Sequence, residues 1–374
     1  MKAKAIIILM VLILSGNFSN YITAQQKKQT KIQLAILIDT SNSMDGLIEQ
    51  AKTQLWKIVN EMALARYSGE IPVLEIALYE YGNDRLPSEG GYLRLVAELT
   101  TDLDKISEDL FALTTYGGYE YCGAVVKKAT DELKWSTSND DLKMIFIAGN
   151  EEFTQGNISY ETSCKDAISK GIIVNTIFCG DINEGIRTQW KNAADLADGK
   201  YMNIDQNQVI VQIATPFDAE IVELSDKLSN TYVAYGSVGK MKKERQVQQD
   251  ENVKSLGSGT TVQRAVSKTT SNYNNSDWDL VEAITEGEAD ISKVAVEDLP
   301  EEMKSMDEKQ RKEYVEKKSK ERTDIQNKIN DLNTQRDKFL LEKKKEMSQE
   351  NTLDAVLVKA IREQAETKNY NFVK

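Results

Sequence analysis

The chain has 374 residues, 47 Lys and Arg against 59 Asp and Glu for a formal net charge of −12, no histidine and three cysteines. A histidine general base, a Ser-His-Asp triad and every His-ligated zinc, copper or haem centre are therefore excluded, so a metal would have to be held by oxygen or by a few thiols. The acidic balance argues against nucleic acid and anionic lipid, which need a basic footprint, and leaves a cationic partner or a divalent metal as the better fit.

Met1–Ala24 begins with two lysines, continues as an unbroken apolar run from Ala5 to Leu14, and ends in small and polar residues. This pattern predicts a secretory signal peptide cleaved after Ala24, and hence a periplasmic or secreted protein. The apolar run is too short for a spanning helix, which needs ~20 residues, and no later segment is apolar enough to span a bilayer. Cys122, Cys164 and Cys179 match no zinc or redox spacing. They are expected either to include one bridged pair or to be three buried thiols.

Ile32–Ile38 is a short, branched, wholly apolar run, as expected of a strand buried on both faces. From Met44 to Arg66, Leu47, Ile48, Ala51, Leu55, Ile58, Val59 and Met62 recur at helical spacing. Val73–Tyr81 reads as a second strand and Tyr92–Leu99 as an antiparallel edge strand. Helices are predicted from Thr101 to Leu113, Cys122 to Trp135, Ser159 to Lys170 and Glu184 to Ala197. Strands are predicted at Leu142–Ala148, Gly171–Gly180 and Lys200–Ile204. Such alternation makes an α/β, doubly wound, mostly parallel sheet covered on both faces by helices, with its ligand site beyond the carboxyl ends of the strands.

The expected organisation is a domain over 31–217, a helical or linker segment over 218–300, and a charged region over 301–374. Val247–Asn275, rich in Ser, Thr, Gln and Asn, reads as linker or loose helix. Trp278-Asp279-Leu280-Val281 reads as a short amphipathic contact. In the last region Ile325, Ile329 and Leu332 are spaced at 4 and 3, with Arg336 interrupting the seam. That predicts either a long solvated helix or a short imperfect coiled coil, and in the second case a homo-oligomer through 301–347.

The chemistry concentrates at Asp39-Thr40-Ser41-Asn42-Ser43, where the first strand turns into a helix. A carboxylate and two hydroxyls at i, i+2 and i+4 can aim three oxygens at one point, the donor set that Mg²⁺ selects. The same residues also suit helix capping, with Ser41 or Ser43 as cap and Asp39 beside the dipole. The D-x-S-x-S sequence after the first strand of such a domain resembles the von Willebrand factor type A domain and its metal-ion-dependent adhesion site, over roughly Lys31 to Phe217. The resemblance implies that Asp39, Ser41 and Ser43 are ligands of Mg²⁺, or of Mn²⁺ or Ca²⁺. It further implies a ligand from a glycine-rich loop, here Tyr116-Gly117-Gly118-Tyr119-Glu120, so Glu120 takes the acidic position with Thr114 or Thr115 as substitutes. The aspartate the family usually has after the fourth strand is missing; Gly149-Asn150-Glu151-Glu152 stands there, leaving the position to Asn150, Glu151 or water.

An ion held by one carboxylate and neutral hydroxyls keeps charge to spare and can recruit an acidic side chain from a partner protein; if Glu120 and Glu151 also coordinate, that attraction weakens. Gly117-Gly118 lacks the lysine of a phosphate-binding loop, and Glu151-Glu152 has no nucleophile beside it. The expected function is an exported protein-binding module for adhesion or scaffolding that uses this metal site, without catalysis. The alternative is a metal-free scaffold acting through its helical tail.

Overall fold

The computed structural model describes residues 29–205, 213–344 and 353–373. The expected signal peptide and its cleavage point lie outside the described residues, as do 345–352 of the charged region. The elements are β1 (Lys31–Asp39), α1 (Asp45–Met62), β2 (Ala65–Tyr67), β3 (Val73–Tyr81), β4 (Leu93–Thr100), α2 (Leu103–Ala112), α3 (Cys122–Glu132), β5 (Leu142–Gly149), α4 (Tyr160–Ser169) and β6 (Ile172–Cys179). There follow α5 (Ile182–Arg187), α6 (Trp190–Asp195), β7 (Tyr201–Ile204), α7 (Asp218–Ser229), α8 (Gly236–Ser255) and α9 (Ser258–Ser267). The chain then continues through α10 (Leu280–Thr285), α11 (Glu301–Lys304), α12 (Glu308–Lys344), α13 (Leu353–Glu366) and β8 (Tyr370–Phe372).

Six strands form one sheet in the order β4-β3-β1-β5-β6-β7, parallel except for β4 at the edge. Successive β1 side chains serve opposite faces: Ile32, Leu34 and Ile38 join α1 and α2 in one core, Ala35 and Leu37 join α3, α4 and α6 in the other. Both faces are dry, which is why these strands read as continuous apolar runs. The expected helix over Glu184–Ala197 is instead two short helices, parted at Gln189, whose φ of 73° cannot continue a right-handed turn. Cys122, Cys164 and Cys179 are buried free thiols, so no pair among them is bridged. Burial pushes the Cys164 thiol up to about 12, leaving it inert. Among the described residues no helix is long and apolar enough to cross a membrane.

The residues after 217 do not hang free. The α9 helix packs on α1, α8 on α2, and α13 lies on α1, with Leu357 and Ile361 facing the sheet over a small apolar cavity of about 50 Å³. Strand β8 pairs antiparallel with β2, and the Tyr370 hydroxyl donates to the carbonyls of Asp140 (2.8 Å) and Lys31 (3.1 Å). Asn175 of β6 and Gln364 of α13 exchange two amide hydrogen bonds, at 3.0 and 2.7 Å.

Two expectations change here. Of the two alternatives for Val247–Asn275, linker or loose helix, the segment is helical but packed: it holds the end of α8 and all of α9, and Gln249, Thr260, Thr261, Arg264 and Ser267 are polar yet buried. Their composition serves an internal hydrogen-bond network, as when Ser107 donates to Gln249 at 2.9 Å. Nor is the Ile325–Leu332 seam open to a second copy. Ile329 is fully buried and Ile325 nearly so within this chain, where α12 packs on α7, and Arg336 forms a buried ion pair with Asp218 at 2.8 Å. A homo-oligomer through that seam would have to unpack the monomer. Trp278 stacks on Tyr232 at 5.8 Å, and Asp279 caps α10 while pairing with Arg322 at 2.6 Å, so this motif joins helices of the later region.

Candidate metal centre

Strand β1 lies between β3 and β5, and its last residue, Asp39, is in register with Tyr81. The chain leaves the sheet there: Thr40 N–H donates to Tyr81 O at 2.8 Å, and Tyr116 N–H to Thr40 O at 2.9 Å, which pins the glycine-rich loop over the turn. Asp39 Oδ1 accepts from Ser41 N–H at 2.7 Å, and Ser41 Oγ lies 3.2 Å from Ser43 Oγ. Glu120, 3% exposed, enters from the loop before α3; its N–H donates to Gln155 Oε1 at 3.2 Å.

The carboxyl groups of Asp39 and Glu120 face each other, with Ser41 beside both. Neither Asp39 Oδ2 nor Glu120 Oε2 has a hydrogen-bond donor, and both atoms are buried. Burial drives the Asp39 pKa well above the usual carboxylate range, and the Glu120 charge adds to it. Burial likewise raises Glu120, with Glu151 contributing. Two acceptors cannot bond one another, so the pair needs a proton or a cation between its oxygens.

The other expected ligands have partners of their own. Asn150 Nδ2 donates to Ser43 Oγ at 3.1 Å. Glu151 is exposed and its carboxylate accepts from Gln155 at 3.4 Å; among the described residues no group of three or more acidic or thiol side chains converges. Thr115 is turned away and donates to Asp45 at the head of α1. The donors brought together are two carboxylates and two hydroxyls, all hard oxygens, which fits Mg²⁺ or Mn²⁺ with water completing the shell.

Two glycines that sequence reasoning did not assign to the site shape its wall. At Gly82, φ is 79° and a Cβ would lie 2.6 Å from Asp39 Oδ1 and 2.9 Å from Glu120 Cγ. At Gly149 a Cβ would lie 2.5 Å from the Tyr81 hydroxyl and 3.1 Å from Asp39 Oδ2. The signal available was position: both stand at the carboxyl ends of the strands flanking β1. Gly82→Ala should cost about 1–3 kcal/mol of stability from backbone strain alone and weaken any cation binding, read by chemical denaturation and metal titration. An unchanged titration would remove Gly82 from the centre.

No family model and no curated protein sequence matches the chain. Solved structures do, at low identity and over about half its length. BatB from Bacteroides thetaiotaomicron is 16% identical over 46% of this chain and 90% of its own, with a TM-score of 0.36. The SpRpn10 VWA domain is 15% identical over 49% of this chain and 100% of its own, with a TM-score of 0.36. Proximal thread matrix protein 1 from the mussel byssus, solved with a zinc-occupied MIDAS motif, is 15% identical over 47% of this chain and 42% of its own, with a TM-score of 0.35. Each likeness is one of fold.

Proposed function

We propose that this chain, whose sheet and its covering helices have the von Willebrand factor type A fold, is an exported protein-binding module. In this reading a divalent cation, Mg²⁺ or Mn²⁺, is held by Asp39, Ser41, Ser43 and Glu120. The observation that carries it is that two neighbouring carboxyl groups at the carboxyl end of β1, Asp39 and Glu120, each bury an oxygen, Oδ2 and Oε2, that has no donor. When bound, the cation supplies charge neutralisation and a fixed geometry for the loops after β1 and before α3. Ser41 and Ser43 contribute hydroxyl oxygens, Asn150 fixes the Ser43 rotamer, and Gly82 and Gly149 let the carboxylates approach. The role in this reading is binding, and with no histidine in the sequence a histidine general base has no part in it. Export rests on the sequence of Met1–Ala24.

The competing reading, a metal-free scaffold, is favoured by the raised pKa of Asp39, since one shared proton also satisfies the pair. Titration calorimetry of the purified protein with Mg²⁺ and Mn²⁺, beside Asp39→Ala, separates the two. Binding that vanishes in the variant supports the metal reading, and no heat from either protein supports the scaffold.

A further inference from the structure

We infer that the face around the candidate metal centre binds a basic segment of a partner protein, arginine- or lysine-rich, rather than an acidic one. The inference rests on the proposed reading that this face is where a partner docks, and it names the chemistry of that partner.

Charge at the centre is the first observation. With a divalent ion bound in the proposed way, Asp39 and Glu120 would supply two negative charges to it, leaving little attraction for a partner's carboxylate. Charge around it is the second. The segments that follow β3, β5 and β6 expose Asp84, Glu89, Glu151, Glu152, Asp181 and Glu184 against only two arginines. Of those two, Arg187 is paired with Glu184 at 3.1 Å, and Arg85 lies over the Tyr116 ring, its guanidinium carbon 4.4 Å from the centroid. An approaching acidic segment meets a repelling rim; a basic one is drawn in.

The third observation is aromatic. Tyr92, Tyr119 and Tyr121 pack on one another with ring centroids 5.6–6.0 Å apart, and Tyr119 is 59% exposed and Tyr116 45% exposed. Exposed rings beside carboxylates are what a guanidinium recognises, stacking on the face while its N–H groups reach the acids. Arg85 on Tyr116 already displays this contact within the chain. Beside the tyrosines runs an open groove of about 890 Å³, bordered by Glu89, Gly91, Tyr121 and Ile158, with room for an extended peptide. Its lysines on α3, Lys127 and Lys128, are each engaged at 2.8 Å by Asp131 and Glu132.

The test is fluorescence anisotropy of the full-length purified protein with a labelled arginine–glycine repeat peptide and a glutamate–glycine peptide of equal length, in Mg²⁺ and in EDTA. The arginine peptide should bind at least tenfold more tightly than the glutamate peptide, and should keep its binding in EDTA, since the rim does not depend on the ion. Tyr116→Ala/Tyr119→Ala, and separately Asp84→Asn/Glu89→Gln, should each weaken it about tenfold. Glu297→Gln/Asp298→Asn, which removes equal charge far from this face, should leave it unchanged. Mg²⁺-dependent binding of the glutamate peptide would overturn the proposal while sustaining the metal reading. Equal loss in the remote variant, or no binding of either peptide, would overturn it as well. Failure of the metal reading shows separately, in the calorimetry.

Discussion

Arg264→Met should lower the unfolding free energy by about 3–5 kcal/mol, as breaking a buried ion cluster on one side does. Arg264 is 1% exposed; it donates to Asp104 Oδ1 at 2.7 Å, Asp250 Oδ1 at 2.6 Å and Gln246 O at 3.1 Å, and lies over the Trp56 ring at 4.5 Å. Without it Asp104 keeps the Tyr273 hydroxyl, and Asp250 keeps Lys268 and the Ser229 hydroxyl, with both carboxylates largely buried. Methionine fills most of the volume, so the loss measured by urea denaturation reports stranded charge rather than a cavity. Adding Asp104→Asn and Asp250→Asn to the variant should therefore recover part of it.

The same cluster sets an acid limit. Burial alone would raise the Asp250 pKa, but the charges of Lys268 and Arg264 outweigh it and hold the carboxyl well below its usual range. A depressed folded-state pKa contributes stability above the unfolded value near ~3.9 that is lost as pH falls below it. The wild type should accordingly lose stability steeply below about pH 4, and Arg264→Met less steeply. Parallel acid titrations of the two would contradict this account of the cluster.

Ending the chain at Phe217 should give a fragment that aggregates or melts far below the full protein. The sequence pattern alone changes at that point and suggests a domain able to stand by itself; the packing does not stop there. Trp56, Val59 and Met62 of α1 are fully buried in a core that also contains Val262, Ala265, Tyr273, Leu357 and Ile361. Removing the later helices exposes several such side chains at about 1.5–3 kcal/mol each, comparable in sum to the whole stability of a domain. It also strands Asp104 without Arg264, and opens the sheet face that α13 covers. Size-exclusion chromatography with a thermal melt of the fragment decides the matter: a monomeric fragment with an unshifted melting temperature would mean that the helical region adds little to the stability of the sheet.

The α/β half of the molecule was legible because its physics is local. A strand buried on both faces must be apolar throughout, as Leu34–Ile38 and Met144–Ile147 are, and the oxygen donors of the centre sit within a few residues of one another at the turn after β1. The place of Glu120 beside Asp39 was legible because only one acid lies in its glycine-containing loop. Gly82 and Gly149 carry no chemistry of their own, and their role is a distance that emerges only when β3 and β5 flank β1. The later helices were harder for the opposite reason. Gln246, Gln249 and Arg264 look solvent-facing in the chain, yet each is buried against a partner that sequence does not place nearby. Ile325 and Ile329 do mark a buried stripe, but its partner is α7 of the same chain rather than a second molecule.

The clasp made by α13 and β8 also fixes when the protein can finish folding. Residues 353–372 are synthesised after everything they cover, and they close over α1 and pair with β2, roughly three hundred positions upstream (Arg362 with Glu61, Tyr370 with Lys31). Until they emerge, the apolar side of β5 and β6 has no lid, and the central sheet cannot reach its native burial however early its strands pair. Contacts of such long sequence separation form slowly and leave sticky surface exposed meanwhile. A chain made only as far as α12 therefore holds this core open, and its sheet stays partly uncovered until α13 and β8 have followed.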